Sequence, residues 1–223
     1  MSARHWITAQ VLATAMLASC SAASAPSLAQ PLFQAAESGD AKAVRALLAQ
    51  GADTRTRDAR GRTPLLAAVH GRQTEAARAL IDAGADVNAK DAISDSAYLY
   101  AGASGQLEIL RMTLAHGADL RSTNRYGGTA LIPAAERGHV DTVRTLIDAG
   151  VDVDHINRLG WTALLEAILL GDGGTRQQDI VRLLIDAGAD TNLADREGIT
   201  PLQHARQRRQ AAIEHMLADA GAR

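Results

Sequence analysis

The chain of 223 residues carries a formal net charge of -2 and contains one Phe, two Trp and three Tyr. A nearly neutral chain has no broad attraction to nucleic acid or to an anionic membrane surface, so neither is predicted as a partner. A core with so few large rings must be built from Ala, Leu, Val and Ile, which suits small helices packed closely. Cys20 is the single cysteine, which excludes an internal disulfide and a metal site made of several thiolates.

The first thirty residues have the pattern of an export signal. Arg4 precedes a mainly apolar stretch from Trp6 to Ala18, and a run of small residues from Ser19 to Ala25 follows. This order is typical of a secretory signal peptide, and the stretch is too short and too polar for a membrane span. We therefore predict an exported protein in the periplasm of a Gram-negative bacterium.

Two cleavage sites compete within this segment. Ser27-Leu28-Ala29 offers small residues at the two recognition positions, which would make residues 1–29 the signal peptide and leave a soluble chain. Alternatively, Leu17-Ala18-Ser19-Cys20 resembles a bacterial lipobox, in which residues 1–19 are removed and Cys20 carries the lipid. Any membrane contact is predicted only through that anchor, in the outer membrane.

A repeat organises the chain after residue 30. The triplet Gly-Ala-Asp at Gly51 recurs at Gly84 and Gly117, in steps of 33 residues. Gly150 follows at the same step, and Gly188 comes five residues late. A second element, Thr followed by Pro or Ala and then Leu, recurs upstream of these turns at Thr63, Thr129, Thr162 and Thr200. Self-similarity at this period is typical of a solenoid.

The 33-residue period and the Thr-Pro-Leu element resemble the ankyrin-repeat family over residues 30–223. The resemblance implies an all-α repeat solenoid of about six stacked helix-turn-helix units with short β-hairpin fingers. The residues agree, because Thr can cap a helix, Pro suits the first helical position, and Gly150 suits a left-handed helix end. The predicted helix pairs are residues 32–50, 63–83, 96–116, 129–149, 162–187 and 200–220.

The histidine that the family places after Thr-Pro-Leu is absent from every unit. In the family this side chain joins adjacent finger loops by hydrogen bonds. We therefore expect packing to replace those bonds, with looser loops but the same fold. The position is occupied by Leu66, Leu99, Ile132, Leu165 and Gln203.

Two units depart further from the pattern. The third unit contains Tyr98 and Tyr100, and we interpret Gly102 as space for a ring in a repacked core, with a specialised contact site as the alternative. The fifth unit carries a five-residue insertion within Gly171–Asp179. Its glycines and polar residues predict a solvated, mobile loop between the two helices.

No catalytic, cofactor or metal site is predicted, so the chain is interpreted as non-enzymatic. The seven histidines show no metal-ligand spacing, and a zinc site needs three or four convergent ligands. The glycines at 171–174 lack a following Lys-Ser or Lys-Thr, so they do not form a phosphate loop.

The function that the resemblance implies is a protein-interaction module that binds a protein partner through its fingers and concave helix face. An inhibitor or immunity protein is one alternative, although its concave face should be strongly charged, whereas this one is mixed. An accessory protein for a periplasmic enzyme, such as a haem catalase, is another. A hydrolase remains a third alternative, because a Ser-His-Asp group is defined by geometry and not by sequence order.

The implied contact residues flank the glycine before each Thr, at the fingers. Arg, Tyr and Trp are enriched at binding hot spots, and four such residues fall on adjacent fingers: Arg125, Tyr126, Arg158 and Trp161. Finger residues outside the candidate set are Ile93, Asp95 and Glu197. The candidate partner-binding residues are Arg60, Arg62, Arg125, Tyr126, Arg158, Leu159, Trp161 and Arg196.

Overall fold

The computed structural model describes residues 27–223, which fold into twelve helices arranged as six consecutive pairs. The predicted signal sequence up to residue 26, with Cys20, lies outside the described residues. The pairs are α1 (Ala29–Ser38) with α2 (Ala41–Ala49), α3 (Pro64–His70) with α4 (Thr74–Asp82), α5 (Ala97–Ala103) with α6 (Leu107–Ala115), α7 (Leu131–Glu136) with α8 (Val140–Asp148), α9 (Ala163–Leu169) with α10 (Thr175–Asp186), and α11 (Pro201–Gln207) with α12 (Ala211–Asp219). The predicted solenoid and its six helix pairs are confirmed.

Hydroxyl side chains start most of the first helices, as the sequence predicts. The side-chain oxygens of Thr63 and Thr162 each accept a hydrogen bond at 3.2 Å from the backbone N–H three residues on. Thr200 does the same within a reciprocal capping box with Gln203. The prediction is wrong for Thr129. The next residue already has helical backbone angles, so Thr129 is not the capping residue, and its buried hydroxyl has no hydrogen-bond partner among residues 27–223.

The second helix of each unit ends at a glycine in the left-handed region. Gly150 has φ 88°, and the N–H of Val151 returns to the carbonyl of Leu146 at 3.1 Å, which closes the helix end. A Cβ added to Gly150 would meet nothing within 4 Å. The glycine is therefore required by backbone conformation and not by lack of space.

Each pair buries its apolar face against the next pair. First helices pack on first helices and second helices on second helices along the stack, so one apolar cluster runs from Leu32 to Leu217. Its fully buried members are mostly Leu, Ile, Val and Ala. No unit could bury this surface alone, so stacking supplies the stability of the fold.

A glutamine just before three of the second helices, α4, α6 and α12, also fixes the register between units. The Gln73 and Gln106 amides donate to the carbonyls of Glu37 and Val69 in the preceding unit, at 3.2 and 3.0 Å. Gln210 donates to the carbonyl of Ile168 at 3.0 Å. These bonds satisfy carbonyls at the ends of first helices, which have no partner inside their own helix.

Gly102 makes room for the neighbouring helix and not for an aromatic ring. The interpretation of this glycine from the sequence is therefore wrong. A Cβ at Gly102 would lie 2.8 Å from the Cβ of Ala130, at the start of α7. Tyr98 is fully buried on α5. The glycine therefore lets the third and fourth units approach closely.

The insertion in the fifth unit is not a solvated loop, which corrects the second interpretation. Only residues 170–174 stay outside the helices, because α10 begins at Thr175 and has 12 residues where α8 has 9. Gln177 is buried beside Gly138 of the fourth unit. Most of the inserted length is thus absorbed as an extra helical turn.

Within residues 27–223, no helix combines the length and apolarity that a membrane span requires.

Candidate protein-interaction surface

Five fingers project between the described units, and the same hydrogen-bond pattern folds each of them. Each finger carries the number of the unit that follows it, so they run from the second finger to the sixth. The side-chain oxygen Oδ1 of an Asp or Asn accepts hydrogen bonds from the backbone N–H groups two and four residues on, at 2.8 to 3.1 Å. In the fifth unit a backbone bond from Asn157 N–H to the Trp161 carbonyl, at 3.0 Å, closes the hairpin. The residues that supply the oxygen are Asp58, Asp91, Asn124, Asn157 and Asp195.

Neighbouring fingers are joined by hydrogen bonds from long side chains. Arg57 donates to the Lys90 carbonyl at 2.7 Å, and the Lys90 ammonium donates to the Thr123 carbonyl at 2.7 Å. A ring nitrogen of His155 lies 2.7 Å from the Gly127 carbonyl oxygen. The expectation that packing replaces the missing histidine is wrong, because side chains at other positions make the bonds.

The structure brings three predicted contact residues together at the fourth and fifth fingers. The Arg125 guanidinium lies 4.9 Å above the Tyr126 ring centre. Arg158 donates from its backbone N–H to the Tyr126 carbonyl at 2.9 Å and from its side chain to the Arg125 carbonyl at 3.0 Å. Trp161 is half-buried at the base of the fifth finger.

The other predicted contact residues differ in the exposure of their side chains and in the contacts that these side chains already make. Arg60 is exposed at the tip of the second finger, and Arg196 is exposed with its aliphatic stem against Gly160. Only 12% of the Arg62 side chain is exposed, and its guanidinium pairs with Asp58 at 2.7 Å and Glu37 at 2.6 Å. Arg62 therefore ties the second finger to α1.

Three apolar side chains form a row at the tips of adjacent fingers, which we term the finger ridge. Ile93, Tyr126 and Leu159 follow one another at 33-residue steps and are 48%, 54% and 49% exposed. Exposed Arg60 and Glu197 hold the equivalent positions on the flanking fingers. A contiguous apolar row framed by charge is typical of a binding surface.

A groove lies between the finger ridge and the first helices of the third, fourth and fifth units. Its volume is about 390 Å³. Its lining includes Asp95, Tyr100, Asn124, Arg125, Tyr126, Ile132, Pro133, Glu136, Arg137, Asn157, Leu159, Glu166 and Leu170. The helix residues among them are absent from the predicted contact set, because the individual candidate residues were taken only from the fingers although the concave helix face was also expected to bind. The signal was available four residues after each capping residue, where Tyr100, Pro133 and Glu166 differ in size and charge.

The acidic side chains of the groove differ in the partners that compensate their charge. Asp95 lies 3.6 Å from Arg125, although burial still raises the pKa of Asp95. Glu166 is 6% exposed, and its carboxylate accepts a hydrogen bond from the Asn157 amide at 2.8 Å. Burial, assisted by the nearby charge of Glu136, raises the pKa of Glu166 to about 7.

The equivalent position in the last unit holds a different pair. A ring nitrogen of His204 lies 2.6 Å from a carboxylate oxygen of Asp195, and both side chains are buried. This contact fastens the last finger to α11. Across the described chain, residues 27–223, no three His, Cys, Asp or Glu side chains come together in a way that could hold a metal ion.

Stacked helix pairs, projecting fingers and an open groove define a repeat solenoid that presents a recognition surface. The family model for ankyrin repeats (three copies) matches residues 12–91 and 98–195, more than half of the chain. The chain belongs to the ankyrin-repeat family. Repeats of this family are in general protein–protein interaction modules and non-enzymatic scaffolds.

Solved structures agree with this assignment. An ankyrin repeat domain from Acinetobacter baumannii AYE is 62% identical, with a TM-score of 0.85 over 86% of this chain and 98% of that one. The ankyrin repeat protein EF0377 is 46% identical, with a TM-score of 0.82 over 85% and 97%. The ankyrin repeat domain of Bcl-3, of the IκB protein family, is 28% identical, with a TM-score of 0.77 over 86% of each chain. Among curated proteins, none matches the chain.

Proposed function

We propose that this chain is a non-catalytic interaction module of the bacterial cell envelope. It binds one partner protein through the finger ridge and the groove beneath it. The observation that carries the proposal is the run of Ile93, Tyr126 and Leu159, each about half exposed on successive fingers beside a groove of about 390 Å³. Apolar and aromatic side chains of this kind supply most of the energy at protein interfaces.

Export is the second part of the proposal, and the pattern of residues 1–29 supports it. The chain is cleaved after Ala29 and remains soluble in the periplasm, or it is lipidated at Cys20 and attached to the outer membrane. The Acinetobacter relative is a bacterial protein, which is compatible with this setting.

The function is tested by capturing the partner and then weakening the ridge. The exported chain is used as bait in envelope extract, the stoichiometric partner is identified, and the purified pair is measured by calorimetry. Replacing Tyr126 and Leu159 by Ala should weaken binding at least about tenfold, because a buried aromatic anchor contributes on the order of 2 kcal/mol.

Ile156→Ala is the matched control. Ile156 is 48% exposed on the fifth finger but does not line the groove, so its loss should leave affinity within about twofold. Equal affinities of the ridge variant and wild type would exclude the ridge. Substrate turnover by the purified chain alone would contradict a non-catalytic function.

A further inference from the structure

The floor of the groove holds two carboxylates without a cationic partner. Glu136 on α7 and Glu166 on α9 line it from adjacent units, and within residues 27–223 neither forms an ion pair. The two arginines of the same lining form their direct contacts with other groups, although the Arg137 charge also faces Glu166. Arg125 pairs with Asp95 at 3.6 Å, and Arg137 donates to the Ala103 carbonyl at 2.7 Å.

Glu166 is held in place as part of this floor. The Asn157 amide fixes one carboxylate oxygen at 2.8 Å, and the other accepts no hydrogen bond from the described part of the chain. A carboxylate that is shielded from water is strongly stabilised by a cation that takes the place of water. The repulsion between Glu136 and Glu166 would be relieved by the same cation.

The walls of the groove indicate what kind of cation fits. Tyr126, Ile132, Leu159 and Leu170 line it, so a cation with an aliphatic stem would bury that stem against apolar surface. A volume of about 390 Å³ is at the small end of ligand pockets and suits a few side chains. A bare metal ion would need more oxygen ligands than two glutamates supply.

We propose that the groove receives a lysine or arginine side chain of an extended partner segment, with its charge between Glu136 and Glu166. Apolar residues next to that side chain then contact the finger ridge. This inference rests on the proposed function, because the occupant belongs to the partner protein.

Displayed random peptides of about twelve residues, a length that extends beyond the groove, are the probe. Selection on the purified exported chain should enrich a Lys or Arg at one fixed position next to apolar residues. The best peptide is then synthesised with its Lys replaced by norleucine or its Arg replaced by citrulline, which keep the aliphatic stem and remove the charge. Affinity measured by calorimetry should fall at least about tenfold, as expected for hydrogen bonds to a charged group.

The protein variants form a matched pair with equal changes in net charge. Glu136→Gln with Glu166→Gln should weaken the basic peptide at least about tenfold and leave the neutral peptide unaffected. Asp148→Asn with Asp186→Asn removes two exposed carboxylates from α8 and α10 of the same two units. This control should change affinity less than about twofold.

Proton release gives a second readout. The groups that face Glu166 are Glu136 and Arg137 on α7 and Asn157 on the finger. A bound cation favours the ionised carboxylate, so binding slightly below neutral pH should release protons, seen as a dependence of the binding heat on the buffer. Glu166→Gln should abolish that dependence.

The outcomes separate this inference from the proposed function. Selected peptides without a basic residue, or equal effects of the two double variants, would overturn the basic-residue proposal even where ridge variants still lose the partner. Self-association of the chain through Glu136 and Glu166, seen by light scattering, would assign the groove to a second copy and overturn it also. A chain that binds neither partner nor peptide would overturn both.

Discussion

At the scale of single residues, the Glu166 carboxyl makes stability depend on pH. Burial and Glu136 raise its pKa from the ordinary 4.5 to about 7. The folded chain therefore favours the protonated form. The stabilisation is complete below the unfolded pKa and is lost as the pH rises through the folded pKa, between about 4.5 and 7.

Glu166→Gln should remove this dependence while keeping an acceptor for Asn157. Near neutral-to-alkaline pH the variant should be more stable than wild type by up to about 3 kcal/mol, because one pKa unit corresponds to about 1.4 kcal/mol. At mildly acidic pH the two proteins should be nearly equal. Urea unfolding on both sides of neutrality measures this, with Glu197→Gln on an exposed finger tip as control. A difference independent of pH would contradict the assignment.

Gly102 offers a second test, because two effects oppose each other there. A helical Gly→Ala change normally stabilises by about 1 kcal/mol. Here the new Cβ would lie 2.8 Å from the Cβ of Ala130, and overpacking of this kind costs about 1 to 3 kcal/mol. Gly102→Ala should therefore lower the melting temperature, and adding Ala130→Gly should recover part of the loss. A higher melting temperature for the single variant would show that α7 moves away easily.

At the scale of elements, the helix pairs could be predicted and the contacts between fingers could not. Capping residues such as Thr63, apolar spacing and terminal glycines such as Gly150 are local signals, so the predicted pairs differ from the observed ones by at most a few residues. The hydrogen bonds that Arg57, Lys90 and His155 form between fingers join residues about 30 positions apart. The local sequence does not indicate which carbonyl accepts each bond.

The insertion is ordered although its composition predicts a mobile loop. Its glycines suggested a mobile loop, but stacking fixes Gln177 against Gly138 and extends α10 backwards from that point. His139 contacts Gly105 in the same way one unit earlier. The inserted residues thus lie before Gln177, whose place is fixed by its contact with the fourth unit.

Two deletions that differ by one residue test this register. Removing residues 172–176 joins Gly171 to Gln177 as Gly138 joins His139, so the cost should be only about 1 kcal/mol, for one helical turn and the Gln178–Gly173 hydrogen bond. Removing residues 172–177 leaves the connection one residue short and pulls Val181 and Leu184 from the core, which should cost more than about 3 kcal/mol. Urea unfolding compares the two. Equal losses of unfolding free energy in the two variants would mean that the inserted residues themselves, and not the position of Gln177, keep α10 in place.

At the scale of the whole molecule, the candidate site arises only from stacking. Finger positions such as Tyr126 and Leu159 could be found from the repeat, since they recur at fixed steps. The groove combines Tyr100, Glu136 and Glu166 from three units, and their proximity depends on how each unit sits on the next. Sequence therefore indicated the ridge but not the two carboxylates beneath it.

The final prediction concerns attachment of the whole solenoid, which depends on Cys20 because only a thiol can be lipidated at that site. If Cys20 is the anchor, wild type should take up palmitate and sediment with outer membranes, and Cys20→Ser should leave an unlabelled precursor or soluble form. Ser24→Ala, outside the lipobox, is the control and should behave as wild type. If cleavage instead follows Ala29, the chain starts at the second residue of α1 and Cys20 leaves with the signal peptide. Wild type that is soluble, unlabelled and begins at Gln30 would exclude the anchor and leave an untethered periplasmic binder.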